Sequence, residues 1–215
     1  MKDIPMFTTE FGVASLILAE IPYRAEAYIR LQSVAPGKLK ELIDECVSFC
    51  RMVGAERIYA TDHEALSDYP LHTTVVEMQG DAQVDWNQVE HIFPVTEQTV
   101  RKWREITNGR MAGVDCAVTL PSSEEKKILS SGGAYFIHHD GELLGTGWME
   151  EDNLMLLCAV KPGAGERVLH TMLSLNEGGR IRLEVASTNE RAIRLYQRFG
   201  FLKVREITKW YRVFG

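Results

Sequence analysis

The segment "GGAYFIHHDGELLGTGWMEEDNLMLLCAV", Gly132 to Val160, constrains the fold more than any other stretch. It reads as three successive strands, with tight turns at Asp140-Gly141 and at Glu150 to Asn153. Such short turns join antiparallel neighbours, because a parallel pair needs a crossover of about a dozen residues or more. A helix follows from about Glu166 to Leu175, with Val168, Leu169, Met172, Leu173 and Leu175 on its apolar side and Gly178-Gly179 as its stop. "RIRLEVAS" is the next strand. Hairpin-linked strands, a helix and a further strand rule out a doubly wound parallel sheet. They predict an α+β domain.

The run "LEVASTNERAIRLYQRFGF" then reads as strand, polar break and helix. Ser187 and Glu190 form an S-x-x-E capping box, which starts the helix near Thr188 and Asn189. Ala192, Leu195, Tyr196 and Phe199 fall at i, i+3, i+4 and i+7 and make one apolar stripe. Gly200 suits the left-handed position after a helix end, and "FLKVREITKWYRVF" supplies one or two closing strands. Upstream, "PVTEQTVRKWREITNGRM" predicts a helix with Thr96 as N-cap, and "PSSEEKKILSS" a shorter one from Ser122 or Ser123.

The first part of the chain echoes this plan. "VAPGKLKELIDECV", from Val34, lies over "VKPGAGERVLHTML", from Val160, without a gap, at an offset of 160 − 34 = 126. Each follows a strand pair and each leads into a strand, "ERIYAT" in one case and "RIRLEVA" in the other. A repeat of this length suggests a duplicated domain, with the first copy lacking the two opening helices. The polar stretch "MQGDAQVDWNQ" marks the expected boundary near residue 83, giving a degenerate partial domain over 1–83 and a complete one over 84–215.

A formal charge of −6 over 215 residues argues against a dedicated nucleic-acid or anionic-membrane binder. No apolar run approaches the roughly 20 residues of a membrane span, and "MKDIPMFTTEFG" has no cleavable signal pattern, so the expectation is a cytoplasmic monomer or homodimer. Cys46, Cys50, Cys116 and Cys158 have no ligand-like spacing with histidine and read as free thiols; "HHDG" at His138 to Gly141 reads as a hairpin turn, and no metal is expected.

In "LCAVKPGAGERVL", Leu157 to Leu169, a strand enters a Pro-Gly turn and small residues open a helix. The unpaired N–H groups and positive dipole end of a helix's first turn favour an anion such as pyrophosphate. A Walker A loop would need Gly-Lys-Ser/Thr where Glu166-Arg167 stand, and a dinucleotide fingerprint would need glycine where Val168 stands.

Together the two elements resemble the GCN5-related N-acetyltransferase (GNAT) superfamily. "NERAIRLYQRFGF" follows the family pattern N-x-x-A-x-x-L-Y-x-x-x-G-F, and "LCAVKPGAG" resembles its pyrophosphate loop, V-x-P-x-x-R-G-x-G-x-G/A. The resemblance covers about residues 84–215 and implies a GNAT fold, α+β and layered α/β/α on a mixed, mostly antiparallel sheet flanked by helices, with acetyl-CoA as cosubstrate and with the first part looking like a decayed partial copy, as in tandem members. It implies that the backbone of Cys158, Ala159 and Val160 bonds the pantetheine arm. The N–H groups of Gly163, Ala164, Gly165 and Glu166, with Arg167, would hold the pyrophosphate. Asn189 would bond the pantetheine or hold splayed strand ends, and Tyr196 would protonate the departing thiolate. The substrate would be a small-molecule or peptide amine.

Departures from the pattern are specific. The loop is two residues short and lacks the arginine, and the apolar Leu154 to Leu157 leave no glutamate as base on the preceding strand. Glu184, Glu150 and Glu151 are alternatives. Trp103, Trp148 and Trp210 are candidates for an acceptor pocket. In the first copy Leu39 replaces Gly165, so one active site is expected. Two other readings stand beside the acetyltransferase: a protein N-terminal acetyltransferase, and a non-catalytic acyl-CoA-binding regulatory module.

Overall fold

The computed structural model describes residues 1–81, 84–176 and 179–215, which form two compact units. The first comprises Met1–Val75 with Glu206–Gly215, and the second Val76–Arg205. The boundary expected at residue 83 and the stop at Gly178 lie outside the described residues. The C-terminal residues 206–215, placed by the sequence reading with residues 84–205, belong to the first unit.

The first unit opens with β1 (Ile4–Thr9), β2 (Gly12–Ile17), α1 (Ile21–Arg24), β3 (Glu26–Val34), α2 (Leu39–Met52) and β4 (Arg57–Thr61). β5 (Leu71–Asp81) carries the chain into the second unit. That unit holds β6 (His91–Pro94), α3 (Val100–Met111), α4 (Glu125–Ser131), β7 (Ala134–His139), β8 (Glu142–Glu150), β9 (Asn153–Ala159), α5 (Gly165–Leu173), β10 (Arg180–Ala186) and α6 (Glu190–Arg198). β11 (Leu202–Phe214) closes the chain.

In the second unit the strand order is β5-β10-β9-β8-β7-β6. β6 to β9 form an antiparallel meander, and β9 pairs with β10 in parallel. The β7–β8 turn is the one the sequence predicts: Asp140 and Gly141 have φ of 48° and 80°, the two left-handed residues of a type I′ hairpin. Along β8, Gly145 and Gly147 lie under Val168 and Met172 of α5, whereas Thr146 and Trp148 meet Thr107 and Trp103 of α3. Because strand side chains alternate faces, α5 covers one face of this sheet and α3 the other. One core joins Val168, Leu169, Met172 and Leu173 to Ile181, Leu183, Tyr196 and Phe201; the other joins Val100, Trp103, Leu120, Ile128 and Trp148. The buried indoles are satisfied, Trp103 Nε1 donating to Tyr135 O (2.9 Å) and Trp148 Nε1 to Ser131 Oγ (3.0 Å).

Three local expectations change. The N-cap of α6 is Asn189, whose Oδ1 accepts from Ala192 N (3.2 Å), so the cap lies two residues beyond the Ser187 of the predicted box. The N-cap of α3 is Thr99; Thr96 supplies the carbonyl that accepts from Thr99 N and Val100 N. The polar stretch taken as a linker begins inside β5, where Met78 is buried and a Cβ on Gly80 would lie 2.9 Å from the Phe201 ring. The helix end at Gly200 holds: Gly200 N bonds Gln197 O and Phe201 N bonds Tyr196 O, the paired bonds of a Schellman motif, with φ +83° at Gly200. Gly200→Ala has free space for its methyl group but a strained backbone, and is expected to cost about 1 kcal/mol in denaturant titration.

In the first unit the order is β1-β2-β3-β4-β11, with β3–β4 parallel and β1–β2, β2–β3 and β4–β11 antiparallel. α2 buries Leu42, Ile43, Cys46 and Cys50, and burial pushes both thiols up to about 12, so they are protonated packing groups. The connectivity of β2-β3-α2-β4 matches that of β8-β9-α5-β10, and the backbone agrees at the offset found in the sequence. Gly37 and Gly163 have φ of 69° and 83°, Ala25 and Glu151 have φ of 53° and 52°, and the helices begin at Leu39 and Gly165.

Candidate functional site

The two strand–helix–strand units differ where it matters for binding. β3 and β4 stay in register through five residue pairs, from Glu26↔Arg57 to Arg30↔Thr61. β9 and β10 pair only at Asn153↔Arg182 among the described residues, supported by Arg182 N donating to Asp152 O (2.9 Å). Beyond that point the parallel strands part, leaving peptide groups on their facing edges without ladder partners. Buried main-chain groups of that kind need another partner.

Alternation on β9 decides which groups face the gap. Val160 N donates to Leu144 O of the β8 side (2.7 Å), and Thr146 is registered opposite Cys158 and Gly145 opposite Ala159. Positions 158 and 160 are therefore the hydrogen-bonded pairs with β8, and Ala159 is the residue whose N–H and C=O point the other way. Of the expected trio Cys158, Ala159 and Val160, Ala159 alone turns its peptide to the gap, and its carbonyl already accepts from Arg110 Nε (3.0 Å) at the end of α3.

Beyond β9, Gly163 has φ +83° and nothing within 4 Å of a built Cβ, an open main-chain approach. Ala164 is buried and is the N-cap of α5, but its own N–H bonds Lys161 O (3.2 Å), so it is committed to the turn. The amides of Gly165, Glu166 and Arg167 precede the first helical bond, Val168 N to Ala164 O (2.9 Å). They are the donors available to an anion. The loop's side-chain cations are already engaged. Arg167 is ion-paired with Glu90, whose side chain is 8% exposed and whose other oxygen meets His139 Nδ1 (3.0 Å). Lys161 pairs with Glu142. The charge of Glu166, unfavourable beside a phosphate, is matched by Arg198 of α6 (2.5 Å).

Tyr196 projects from α6 into the same core, 8% exposed, with its ring 6.0 Å from that of Phe201. Burial, then the neighbouring Cys158, pushes its phenol well above the ordinary tyrosine range, so it is a proton carrier at neutral pH. The hydroxyl makes no side-chain hydrogen bond among the described residues, and it is not one of the fully buried polar atoms left unsatisfied there. Cys158 is itself buried; burial raises its thiol to about 11 against the opposing effects of Thr146 and Arg110. Thr146 Oγ1 and Thr107 Oγ1 are 2.9 Å apart, so a small polar network runs from α3 through β8 to Cys158 of β9.

The Ala159 peptide thus faces away from β8, the amides of 165–167 open α5, and Tyr196 lies in the core with α5, while Arg167 and Asn189 are engaged by Glu90 and by the α6 cap. Glu184 is exposed on β10, Glu151 is exposed in the β8–β9 turn, and Glu150 is half-buried at the end of β8. Trp103 and Trp148 are core residues of the second unit, and Trp210 is buried in the first, edge-on to Tyr28 at 5.0 Å. Arg110 and the Thr107–Thr146 pair escaped the sequence reading, since helix position and strand register reveal them and no motif does. No group of three or more His, Cys, Asp or Glu residues is arranged to share an ion, and no helix is long and apolar enough to cross a membrane, among the described residues.

No protein-family model matches the sequence, and no curated protein matches it. Solved structures do match the fold. A GCN5-related N-acetyltransferase from Kribbella flavida aligns with a TM-score of 0.58 at 13% identity, over 98% of this chain and 90% of that one. One from Anabaena variabilis aligns at 0.61 and 10% identity, over 94% of this chain and 60% of that one. A third, from Sphaerobacter thermophilus, aligns at 0.52 and 12% identity, over 94% and 77%. The chain therefore has the GNAT fold, a mostly antiparallel mixed sheet flanked by helices.

Proposed function

We propose that this chain is an acetyl-CoA-dependent N-acetyltransferase that passes an acetyl group to an amine by direct attack. The observation that carries the reading is the parting of β9 and β10, followed by the helix-start amides of α5 that make no intrahelical bond and with Tyr196 of α6 buried in the same core. Acetyl-CoA supplies the activated acyl group. The amides of Gly165, Glu166 and Arg167 hold its diphosphate, as a helix N-terminus favours. The outward peptide of Ala159 aligns the acyl arm, its N–H placed to polarise the thioester carbonyl. The neutral amine nitrogen bonds the acetyl carbon, the C–S bond breaks as Tyr196 delivers its proton to the sulfur, and the proton released by the nitrogen passes to solvent, which reprotonates the tyrosinate.

The first unit supports a duplicated origin through its shared offset in φ and helix start. Its β3 and β4 remain zipped, so the reading places one active site in the chain, in the second unit. A second reading, a non-catalytic acyl-CoA-binding module, is favoured by the apolar run Leu154 to Leu157, which offers no base on β9. Calorimetry with acetyl-CoA, followed by thiol release over an amine panel, separates them. The expected result is a Kd within about 1 μM–1 mM and thiol release with at least one amine class. Absence of acetyl-CoA binding removes both readings, and binding without turnover leaves the module.

A further inference from the structure

Resting on the acetyltransferase reading, we infer that the acceptor is an amine carrying a nearby carboxylate, as α-amino acids do, and that Arg110 is the residue that receives that carboxylate. Most arginines of this chain are matched to carboxylates: Arg104 to Glu125, Arg167 to Glu90, Arg182 to Asp152, Arg198 to Glu166 and Arg205 to Glu77. Arg110 has no carboxylate partner among the described residues; its recorded bond is from Nε to Ala159 O (3.0 Å). That bond fixes the plane of the guanidinium at the edge of the gap and leaves both Nη groups free. A planar fork held in this way fits a carboxylate through two parallel hydrogen bonds.

The location points to the acceptor end. Ala159 is the residue whose peptide faces the gap, and its carbonyl holds Arg110 Nε at 3.0 Å. In the acetyltransferase reading the N–H of Ala159 polarises the thioester carbonyl, so Arg110, bonded to that residue, stands where amine and thioester meet. A carboxylate bound there sits within a short reach of the reacting nitrogen, which selects amines whose two groups are separated by one or a few bonds. The diphosphate, held by the helix-start amides after Gly163, is the competing oxyanion for the same arginine.

The test compares wild type with Arg110→Gln, which keeps a donor for Ala159 O but loses the charged fork, and with Arg110→Lys. Acetyl-CoA affinity is measured by calorimetry alone, and turnover is measured on matched acceptors: phenylalanine against phenethylamine, and alanine against alaninamide. The expected result is that wild type prefers the carboxylated member of each pair. KM for that member rises at least about 10-fold in Arg110→Gln, less in Arg110→Lys, while acetyl-CoA affinity stays within twofold. The inference is overturned if decarboxylated amines are preferred, if no carboxylated acceptor turns over, or if the preference survives in Arg110→Gln. A fall in acetyl-CoA affinity in that variant also overturns it and assigns the arginine to diphosphate. Loss of acetyl-CoA binding in the wild type sinks the acetyltransferase reading itself, so the two failures are distinct.

Discussion

Tyr196→Phe is expected to lower the acetyl-transfer rate about 100-fold while acetyl-CoA affinity stays within twofold and the melting temperature is nearly unchanged. The ring of Tyr196 is packed in the core of the second unit, and phenylalanine preserves that packing. What the variant loses is a hydroxyl without a recorded protein partner, so removing it strands no donor or acceptor. The pH dependence has a fixed sign. Burial raises the folded-state pKa of the phenol above its unfolded value, so the protonated form, and the stability it contributes, is fully present below the usual tyrosine range and is lost as pH rises through the raised value. Catalysis should accordingly show no alkaline limb from Tyr196 at physiological pH. Thiol release at the wild-type rate in the variant would remove Tyr196 as the acid and leave it as a core residue. So would coenzyme A bound away from the gap in a crystal soak.

Much of this geometry is legible in the sequence. The hairpin at Asp140-Gly141, the helix end at Gly200 and the strand–helix–strand run around Tyr196 rest on local chemistry, where a positive φ or an apolar stripe has few alternatives. Illegible were the features set by distant partners. β1 has no fully buried residue and no clean alternation, so nothing in its sequence marks it as a strand. The end of β5 reads as a polar linker because Gly80 owes its place to the Phe201 ring pressed against it. Arg167 looks like the phosphate-binding cation of the loop, yet Glu90, far away in sequence, holds it. Arg110 sits on an ordinary polar helix face, and its meaning comes from the carbonyl that β9 turns toward it. Position 158 or 160 cannot be told from 159 until the register with β8 is known, because a shift of one residue exchanges every inward and outward group.

The same register makes Gly145 the residue on which the gap depends. A Cβ built there would lie 2.3 Å from Cys158 O and 2.7 Å from a methyl carbon of Val168. The first contact is backbone in the β8–β9 ladder and cannot yield without parting the strands one residue from Ala159. The second would push α5 away from the sheet and move the helix-start amides with it. Gly147 offers the control, since its built Cβ meets only the flexible side chain of Met172, at 2.3 Å to Sδ. Gly145→Ala is therefore expected to destabilise the protein by about 3 kcal/mol, the upper end for overpacking, which corresponds to roughly 6–12 °C in melting temperature. Gly147→Ala is expected to cost about 1 kcal/mol, because methionine repacks. Acetyl-CoA affinity should fall in the folded fraction of Gly145→Ala and hold in Gly147→Ala. Equal melting temperatures for the two variants would mean that β8 and β9 can separate freely at Cys158. The peptide of Ala159 would then have no fixed direction, and the site built on it would lose its frame.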